Sequence, residues 1–384
     1  MDFRCLSSMN VTLIDSISET GSKKWNQLTG IDYPFLRYEF LYALENSGSV
    51  CEGTGWGPQH CLVYQDNEII GLMPMYRKTH SQGEYVFDHN WADAYEHNGL
   101  PYYPKWLTSI PFTPCEGKRL VVKENIKLAT VYGEVSNFLQ EKAEDYGVSS
   151  WHCLFPTSQE IKYLKTGNLF IRENVQFRWF NMGYRDFQDY LETFNAKKRK
   201  NLQRERRHVA EQKIELRCVP GPEISEHQWQ AFFQFYCMTY LKRHMHPYLN
   251  LKFFSELAET MAEQLLLVLA VKDNNYVGAA LSLIGSDTLY GRYWGCYEEY
   301  NSLHFEACYY QGLEYCIKNK LQRFDSGAQG EHKIARGFEP VTTYSAHWLK
   351  DPRFAAAIRH YVSQESELIE HYKADTSTLL PFKK

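Results

Sequence analysis

The stretch R-F-D-S-G-A-Q-G-E-H-K-I-A-R-G-F, residues 323–338, decides how the rest of the sequence is interpreted. It places several ionisable side chains, among them Asp325, Lys333 and Arg336, next to three glycines. Glycine adopts positive φ angles without strain, so it favours tight turns and a close approach of backbone to a ligand. The stretch therefore predicts a strand that ends in a ligand-binding loop.

Three strands and a helix are predicted before this loop. Residues 265–270 are apolar, 276–284 and 288–296 have strand-like composition, and the turn-forming residues between them predict two successive hairpins. Apolar residues then recur at helical spacing over 305–317, and residues 322–326 read as a short strand. The predicted order is strand, strand, strand, helix, strand.

A short phrase occurs twice, as D-N-E-I-I-G at 66–71 and as D-N-N-Y-V-G at 273–278, and each copy follows an apolar strand. This repeated motif predicts the same hairpin in both halves of the chain and therefore an internal duplication. We predict an N-terminal domain over residues 1–185, a basic helical connector over 186–212, and a C-terminal domain with the glycine loop over 213–384.

Several long motifs of the chain resemble the sequences of a known protein family. The loop, the long helix, F-D-S-G-A-Q-G-E-H-K and R-G-F from Glu299 onward resemble Fem-type acyltransferases of the GNAT superfamily. Nearly the whole chain is similar to one branch, the FemAB-like N-acyltransferases, through P-F-L-R-Y-E-F-L-Y-A-L-E-N-S-G-S-V from Pro34, G-E-Y-V-F-D from Gly83, W-A-D-A-Y-E from Trp91, Y-Y-P-K from Tyr102, P-F-T-P from Pro111 and L-Y-G-R-Y-W-G-C from Leu289. The resemblance implies an α/β fold of two tandem GNAT-like domains. It also implies transfer of an acyl or aminoacyl group to an amine by direct attack, without a covalent enzyme intermediate.

The resemblance implies roles for the residues of the loop. In Fem-type proteins the corresponding lysine and glycine loop flank the acyl-transfer site, so Lys333 and Arg336 are expected to hold a substrate carboxylate or phosphate. His332 is expected to exchange a proton near neutral pH. Asp325, Gln329 and Glu331 complete the substrate-binding candidates of this stretch. The alternative is a salt bridge from Asp325 to Lys333 or Arg336 that only fixes the turn.

Two further candidates, Arg292 and Trp294, lie on the strand that splays open in GNAT folds to receive the acyl group. A backbone amide there polarises the carbonyl and stabilises the oxyanion, and Arg292 is alternatively a charged face residue. Coenzyme-A-dependent GNAT enzymes carry a glycine-rich turn after this strand, whereas here the junction reads Y-E-E-Y-N-S-L-H-F-E. No permanently bound cofactor is expected, and the acyl donor is aminoacyl-tRNA or acyl-CoA.

A second group of acids, Glu84, Asp88 and Asp93, lies among aromatic residues. An unperturbed ammonium titrates at about 10.4, so acylation of an amine needs a base, such as a carboxylate whose pKa an apolar setting raises. Residues 83–88 predict a strand on which Glu84 and Asp88 share a face. Glu84 and Asp93 are candidate catalytic groups, and Asp88 is a candidate substrate ligand. Alternatively these acids are exposed, and Asp93 caps a helix near Ala94.

A basic segment follows the first half of the chain. It contains Lys197, Lys198, Arg199, Lys200, Arg204, Arg206 and Arg207 against one acid, Glu205. Such a helix contacts the phosphates of a tRNA, or it presents a solvated face.

The amino-acid composition limits the classes of protein to which the chain can belong. The chain has 384 residues, 44% of them hydrophobic, and a net charge of -4, which indicates a folded protein and leaves a nucleic-acid partner open. Ten scattered cysteines without C-x-x-C spacing predict reduced core thiols, and no metal site is predicted. With no apolar membrane span and no signal pattern, we predict a cytoplasmic protein. The resemblance to the FemAB-like family implies an enzyme of peptidoglycan biosynthesis. The expected acceptor is a small-molecule or cell-wall-precursor amine; the alternative function is a non-catalytic ligand-recognition module.

Overall fold

The computed structural model describes residues 9–328 and 330–383. These residues form two compact units that interleave along the chain. The first unit comprises residues 9–31, Phe35–Asn174 and Thr342–Glu370, and the second comprises Asp32–Pro34, Val175–Val341 and residues 371–383. The predicted domain boundaries at residues 185 and 212 stay a prediction.

The first unit contains two groups of paired strands and the helices that pack on them. The helices are α1 (Ser22–Thr29), α2 (Tyr38–Asn46), α3 (His89–His97), α4 (Leu128–Lys142) and α5 (Ile161–Thr166), and the strands are β1 (Asn10–Ile14), β2 (Trp56–Pro58), β3 (His60–Gln65), β4 (Glu68–Met73), β5 (Tyr76–Lys78), β6 (Lys105–Thr108), β7 (Val121–Val122) and β8 (Ser150–Leu154). One group pairs in the order β1-β3-β4-β7. In the other, β2, β5 and β6 are antiparallel neighbours, and β6 runs parallel to β8.

The second unit is built on one larger group of strands. The helices are α6 (Phe187–Glu192), α7 (Ala196–Glu211), α8 (Glu226–Leu241), α9 (Leu251–Thr260), α10 (Leu303–Phe305), a π-helical segment (Glu306–Tyr310) and α11 (Gln311–Lys318), and the strands are β10 (Glu215–Pro220), β11 (Leu265–Lys272), β12 (Asn275–Ile284), β13 (Thr288–Cys296) and β14 (Arg323–Asp325). The elements β9 (Phe170–Phe180), β15 (Glu339–Leu349) and α12 (Pro352–Thr378) continue from one unit into the other. The order is β10-β11-β12-β13-β14-β9, and β13 and β14 run parallel.

The repeated phrase folds in the same way in both units. Asp66 and Asn67 have φ of 51° and 62°, and Asp273 and Asn274 have φ of 48° and 61°. Two-residue hairpin turns need such left-handed values, which Asn and Asp tolerate better than most residues. Each hairpin also has a register shift just before its turn, in β3 and in β11. Both predicted hairpins are therefore confirmed.

The predicted strand over residues 83–88 is wrong. These residues form turns that lead into α3, and Gly83 and Tyr85 have φ of 80° and 62°, outside the range of a strand. The strand that lies nearby in the sequence is β6. Because β6 has four residues and follows several prolines, its pattern is too short to be recognised.

The core of the second unit brings helix α8 directly onto β13. Trp229, Phe232, Phe235 and Tyr236 of α8 are buried. A Cβ atom at Gly295 of β13 would lie 1.8 Å from the Phe235 carbonyl oxygen, so only glycine permits this approach. The Thr239 hydroxyl donates to the Trp294 carbonyl oxygen at 2.6 Å. Strand β13 is therefore held firmly on one face.

The sequence also predicts reduced core cysteines and no apolar stretch that spans a membrane. The cysteines within the described residues are free, and Cys61, Cys115, Cys153 and Cys316 are buried, as expected of small core residues. In the same part of the chain, no helix combines the length and the apolar composition needed to cross a membrane.

Candidate active site and a buried ionic cluster

Strands β13 and β14 of the second unit form a fork. They pair only from Thr288 to Tyr290, and within the described residues β13 continues to Cys296 without pairing to β14. On its other side β13 stays paired with β12, but Arg292 falls between the partners of Leu281 and Ser282 as a bulge. A bulge disrupts the regular pairing of the ladder locally. The fork therefore opens beside Gly291 and Arg292.

The glycine loop begins where the fork opens. A Cβ at Gly291 would lie 3.5 Å from the Ser326 Cα, so the loop starts beside this glycine. The Gly327 amide donates to Asp325 Oδ1 at 3.1 Å, and Asp325 Oδ2 is 3.5 Å from Arg178 Nε. Asp325 thus fixes the turn as the alternative prediction required, but its ion-pair partner is Arg178.

Lys333 lies inside the loop and is 1% exposed. Its ammonium donates to the Gly327 carbonyl oxygen, which draws the two ends of the loop together. Gly327 and Gly330 have φ of 96° and 112°, in the region that favours glycine. The positive charge of Lys333 is therefore placed next to the opening of the fork by residues of the same loop.

Arg336 is held by contacts within the protein. Its guanidinium donates to Glu205 Oε2 at 2.7 Å and to the His332 carbonyl oxygen at 2.6 Å. The Cζ atom lies 3.5 Å from the centre of the Phe305 ring, a cation–π contact. Arg336 thus joins the loop to α7 through the one acid of its basic segment.

Two imidazoles lie beside the loop. The ring centroids of His304 and His332 are 6.0 Å apart, and His332 Nε2 is 2.8 Å from the Tyr309 hydroxyl. Burial, with the neighbouring His332 and Arg336, lowers the pKa of His304 to about 4. Burial, followed by the charges of Arg336 and Lys333, also lowers the pKa of His332. Both rings are therefore unprotonated at neutral pH and able to accept a proton.

The candidates around the fork are connected. Arg292 and Trp294 lie on the opened part of β13, and the Trp294 ring centroid is 5.7 Å from that of His304. Glu331 is exposed and accepts a hydrogen bond from the Tyr372 hydroxyl at 2.7 Å. Gln329, the remaining predicted ligand, lies outside the described residues.

Helix α7 divides its cations between two faces. Arg206 donates to Glu306 at 2.9 Å and also pairs with Glu314. Exposed cations occur at three- and four-residue spacing on the opposite side; they are Lys197, Lys200, Arg204 and Arg207. This spacing keeps them on one helical face, which we call the α7 basic face.

The acids of the first unit converge on Lys105, which the sequence did not single out. The Lys105 ammonium donates to Glu84 Oε2 at 2.9 Å, to Ser81 Oγ at 2.8 Å and to Asp88 Oδ2. Glu84, Asp88 and Lys105 are all buried. Asp93 is exposed on α3, within the helix and not at its start, so its predicted capping role is wrong. No hydrogen bond in the described chain joins Asp93 to this cluster.

Hydrogen bonds extend the cluster toward two histidines. The Tyr102 hydroxyl donates to Asp88 Oδ2 at 2.7 Å and lies 3.2 Å from His152 Nε2. His152 Nδ1 is 2.6 Å from His347 Nδ1. Burial lowers the pKa of His152 to about 3 and that of His347 well below its usual range, so both rings are neutral.

Burial and charge oppose each other in this cluster. Burial raises the pKa of Glu84 to about 7 despite the attraction of Lys105. Burial also tends to raise the pKa of Asp88, but the charge of Lys105 outweighs burial and holds this pKa well below its usual range. Burial tends to lower the pKa of Lys105, but Glu84 and Asp88 together outweigh burial and raise this pKa above its usual range. The buried pair Lys105–Asp88 is thus ionised at neutral pH.

The structure therefore forms two clusters from the predicted residues. Within the second unit it brings His332, Lys333, Arg336, Asp325 and the β13 residues to the fork. Within the first unit it brings Glu84 and Asp88 to Lys105. The roles of these residues stay predictions. Sequence reasoning missed Lys105 and His304; the apolar setting of Lys105, in K-W-L-T, was the available signal.

Known proteins share this architecture. FemX is 11% identical, with 90% of this chain and 99% of that chain covered and a TM-score of 0.52. The C-terminal domain of a proposed lysylphosphatidylglycerol synthetase from Agrobacterium fabrum is 10% identical, with 90% and 97% covered and a TM-score of 0.54. At such identities the likeness shows the fold alone. No curated protein matches the chain significantly.

The fold, with its repeated hairpin and its strand fork, is that of a protein with two tandem GNAT-like domains, as predicted. Residues 16–384 match the FemAB-like family, which is described by the words peptidoglycan biosynthesis/recognition. The chain belongs to this family, and the resemblance stated from the sequence is confirmed.

Proposed function

We propose that the chain is an N-acyltransferase that transfers an acyl or aminoacyl group to an amine at the fork of the second unit. The observation that carries the proposal is the opening of β13 from β14 at Gly291, directly beside the loop that holds Lys333. The family description and the GNAT-like fold support it.

The donor carbonyl would lie along the opened edge of β13. Backbone N–H groups along the opened edge of β13 would polarise it and stabilise the oxyanion as the amine attacks. The tetrahedral intermediate would then expel the leaving group of the donor, which is the thiolate of CoA or the ribose oxygen of the tRNA. The Lys333 ammonium would add positive charge where negative charge develops. Because Arg336 already binds Glu205 and Phe305, we assign it to positioning the loop and not to holding the substrate.

A proton must leave the attacking amine. The unprotonated His332 imidazole, beside the fork and hydrogen-bonded to Tyr309, is the acceptor that we propose in this unit. Glu84 stays a candidate proton acceptor of the first unit, because burial raises its pKa to about 7. The acceptor substrate that we propose is a cell-wall precursor or another small molecule with a primary amine.

The test compares turnover of the parent protein with that of Lys333→Ala, using aminoacyl-tRNA or acyl-CoA as donor and a panel of amines as acceptors. We expect Lys333→Ala to lose at least about 100-fold in kcat/KM, the order found when one oxyanion-stabilising group is removed. Circular dichroism checks that the variant is folded. Lys318→Ala, at an exposed end of α11, is the matched control and should retain activity.

A second function has one observation in its favour. Lys333 and Arg336 are both bonded to groups of the protein itself, as in a loop that recognises a ligand without turning it over. Such a module would show no turnover in the parent protein with either donor, while still binding an amine ligand.

Variants of the α7 basic face test whether the donor is aminoacyl-tRNA or acyl-CoA. Replacement of Lys197, Lys200, Arg204 and Arg207 by glutamine should reduce the slope of log K against log salt for tRNA binding by about 3, because each phosphate contact contributes about 0.7–0.9. A filter-binding titration at several salt concentrations measures this slope. The control variant, Lys23→Gln with Lys24→Gln, removes exposed charges of α1. A salt-independent affinity, equal in all variants, would exclude a tRNA donor held by α7 and would favour acyl-CoA.

A further inference from the structure

A cavity of about 660 Å³ in the first unit is distinct from both clusters. Arg77, Asp15 and Glu52 line it, together with Gln59 and Thr79. In the part of the chain that the structure describes, none of the three charged side chains has a hydrogen-bond or ion-pair partner. Asp15 and Glu52 are exposed and Arg77 is half-buried, so one cation and two anions line the same solvent-accessible space without pairing with one another.

Gly57, the last residue of the glycine-rich motif G-T-G-W-G at 53–57, lines this space. Gly57 of β2 pairs with Arg77 of β5, so the two residues share a face of the strand pair. A Cβ at Gly57 would lie 3.4 Å from Glu52 Cγ and 3.9 Å from Arg77 Cβ. The missing side chain therefore leaves room between the aliphatic stems of Glu52 and Arg77.

We propose that this cavity binds a zwitterion, a free amino acid or a short peptide, by its two charged ends. The carboxylate binds the Arg77 guanidinium, whose planar donors match a carboxylate in two parallel hydrogen bonds. The ammonium binds between Asp15 and Glu52. A ligand with both charges satisfies all three side chains, whereas an anion alone leaves the two acids unpaired.

The volume agrees with a peptide of a few residues, because small-molecule sites generally span about 300–1,000 Å³. The Thr79 hydroxyl and the free amide nitrogen of Gln59 can bind peptide groups between the two ends, since the Gln59 oxygen already accepts from Trp106. The site lies in the first unit and its binding needs no acyl transfer. Failure of this proposal is therefore separate from failure of the proposed function.

The test is isothermal titration calorimetry of the full chain with three matched probes: the dipeptide Ala-Ala, its N-acetyl derivative and its C-terminal amide. Ala-Ala should bind at least tenfold more tightly than either blocked derivative, because each blocked end loses charge-assisted hydrogen bonds. Equal affinities for the three probes would overturn the proposal.

Two variants identify the residues that bind each end of the ligand, and a third variant tests the space itself. In Arg77→Met the dipeptide and its amide should bind equally weakly, and in Asp15→Asn with Glu52→Gln the dipeptide and its N-acetyl derivative should do so. Gly57→Val should weaken binding by narrowing the cavity between Glu52 and Arg77 without a change of charge. Lys23→Met, on the exposed face of α1, is the control, and thermal unfolding checks that each variant is folded. Unchanged discrimination in Arg77→Met, in a folded protein, would refute the site.

Discussion

Replacement of Lys105 by methionine is expected to lower the free energy of unfolding by about 3 to 5 kcal/mol. Lys105 is 0% exposed, and its ammonium is the cation that faces both Glu84 and Asp88 in the cluster. Methionine keeps much of the side-chain volume but leaves Asp88 buried without its counter-ion. The cost is the desolvation of that carboxylate or the uptake of a proton at neutral pH.

Lys142→Met is the matched control. Lys142 forms a 2.8 Å ion pair with Asp145, and both side chains are largely exposed. Exposed pairs contribute about 0 to 1 kcal/mol, so this variant should unfold almost like the parent protein. Urea unfolding at pH 7 measures both changes. Equal losses in the two lysine variants would show that burial does not govern the Lys105 pair.

A double variant separates charge from packing. Asp88→Asn is nearly isosteric and removes the buried negative charge, so Lys105→Met with Asp88→Asn should be more stable than Lys105→Met alone. The coupling energy follows from the double-mutant cycle with Asp88→Asn as the second single variant. An additive result would mean that the two charges do not interact, contrary to the contact between Lys105 and Asp88.

The structural features that the sequence predicted correctly are formed by residues close together in the chain. The hairpin turns follow from Asp-Asn pairs that tolerate positive φ, and β14 with its loop follows from a short apolar strand before glycines. Glu84 and Asp88 were singled out for their apolar setting, but for a wrong geometric reason, because a strand over 83–88 is absent from the described structure.

The features that the sequence could not predict depend on contacts between residues that are far apart in the chain. Lys105 reaches Glu84 across 21 positions and Arg336 reaches Glu205 across 131. No periodicity of the sequence encodes such pairs, because each depends on how the strands and helices pack. The acid within the basic segment of α7 therefore looked like an interruption, although its role is to anchor the glycine loop through Arg336.

Glu84 is expected to make the protein less stable as the pH rises from about 4.5 to about 7. In the unfolded chain the carboxyl ionises near its ordinary pKa of 4.5, whereas burial raises the folded-state pKa to about 7. Between these values the folded state holds a proton that the unfolded state has lost, so stability falls with pH. The difference corresponds to about 3 kcal/mol, since one pKa unit is about 1.4 kcal/mol.

Glu84→Gln removes this titration. The parent protein should lose about 3 kcal/mol relative to Glu84→Gln between pH 4.5 and 7, measured by guanidinium unfolding at each pH. The comparison cancels the groups remote from Glu84, and Asp88 and Lys105 stay ionised throughout this range because their pKa values lie outside it. Lys78, which interacts with Glu84, stays charged through most of the range because burial lowers its pKa only to about 7. Glu96→Gln, an exposed acid of α3, reports the effect of removing a carboxylate outside the cluster. A stability difference that stays constant or grows in favour of the parent protein with rising pH would mean that Glu84 is ionised in the folded state at pH 4.5. The carboxyl would then be a permanent partner of Lys105, and its proposed role as a proton acceptor near neutral pH would be wrong.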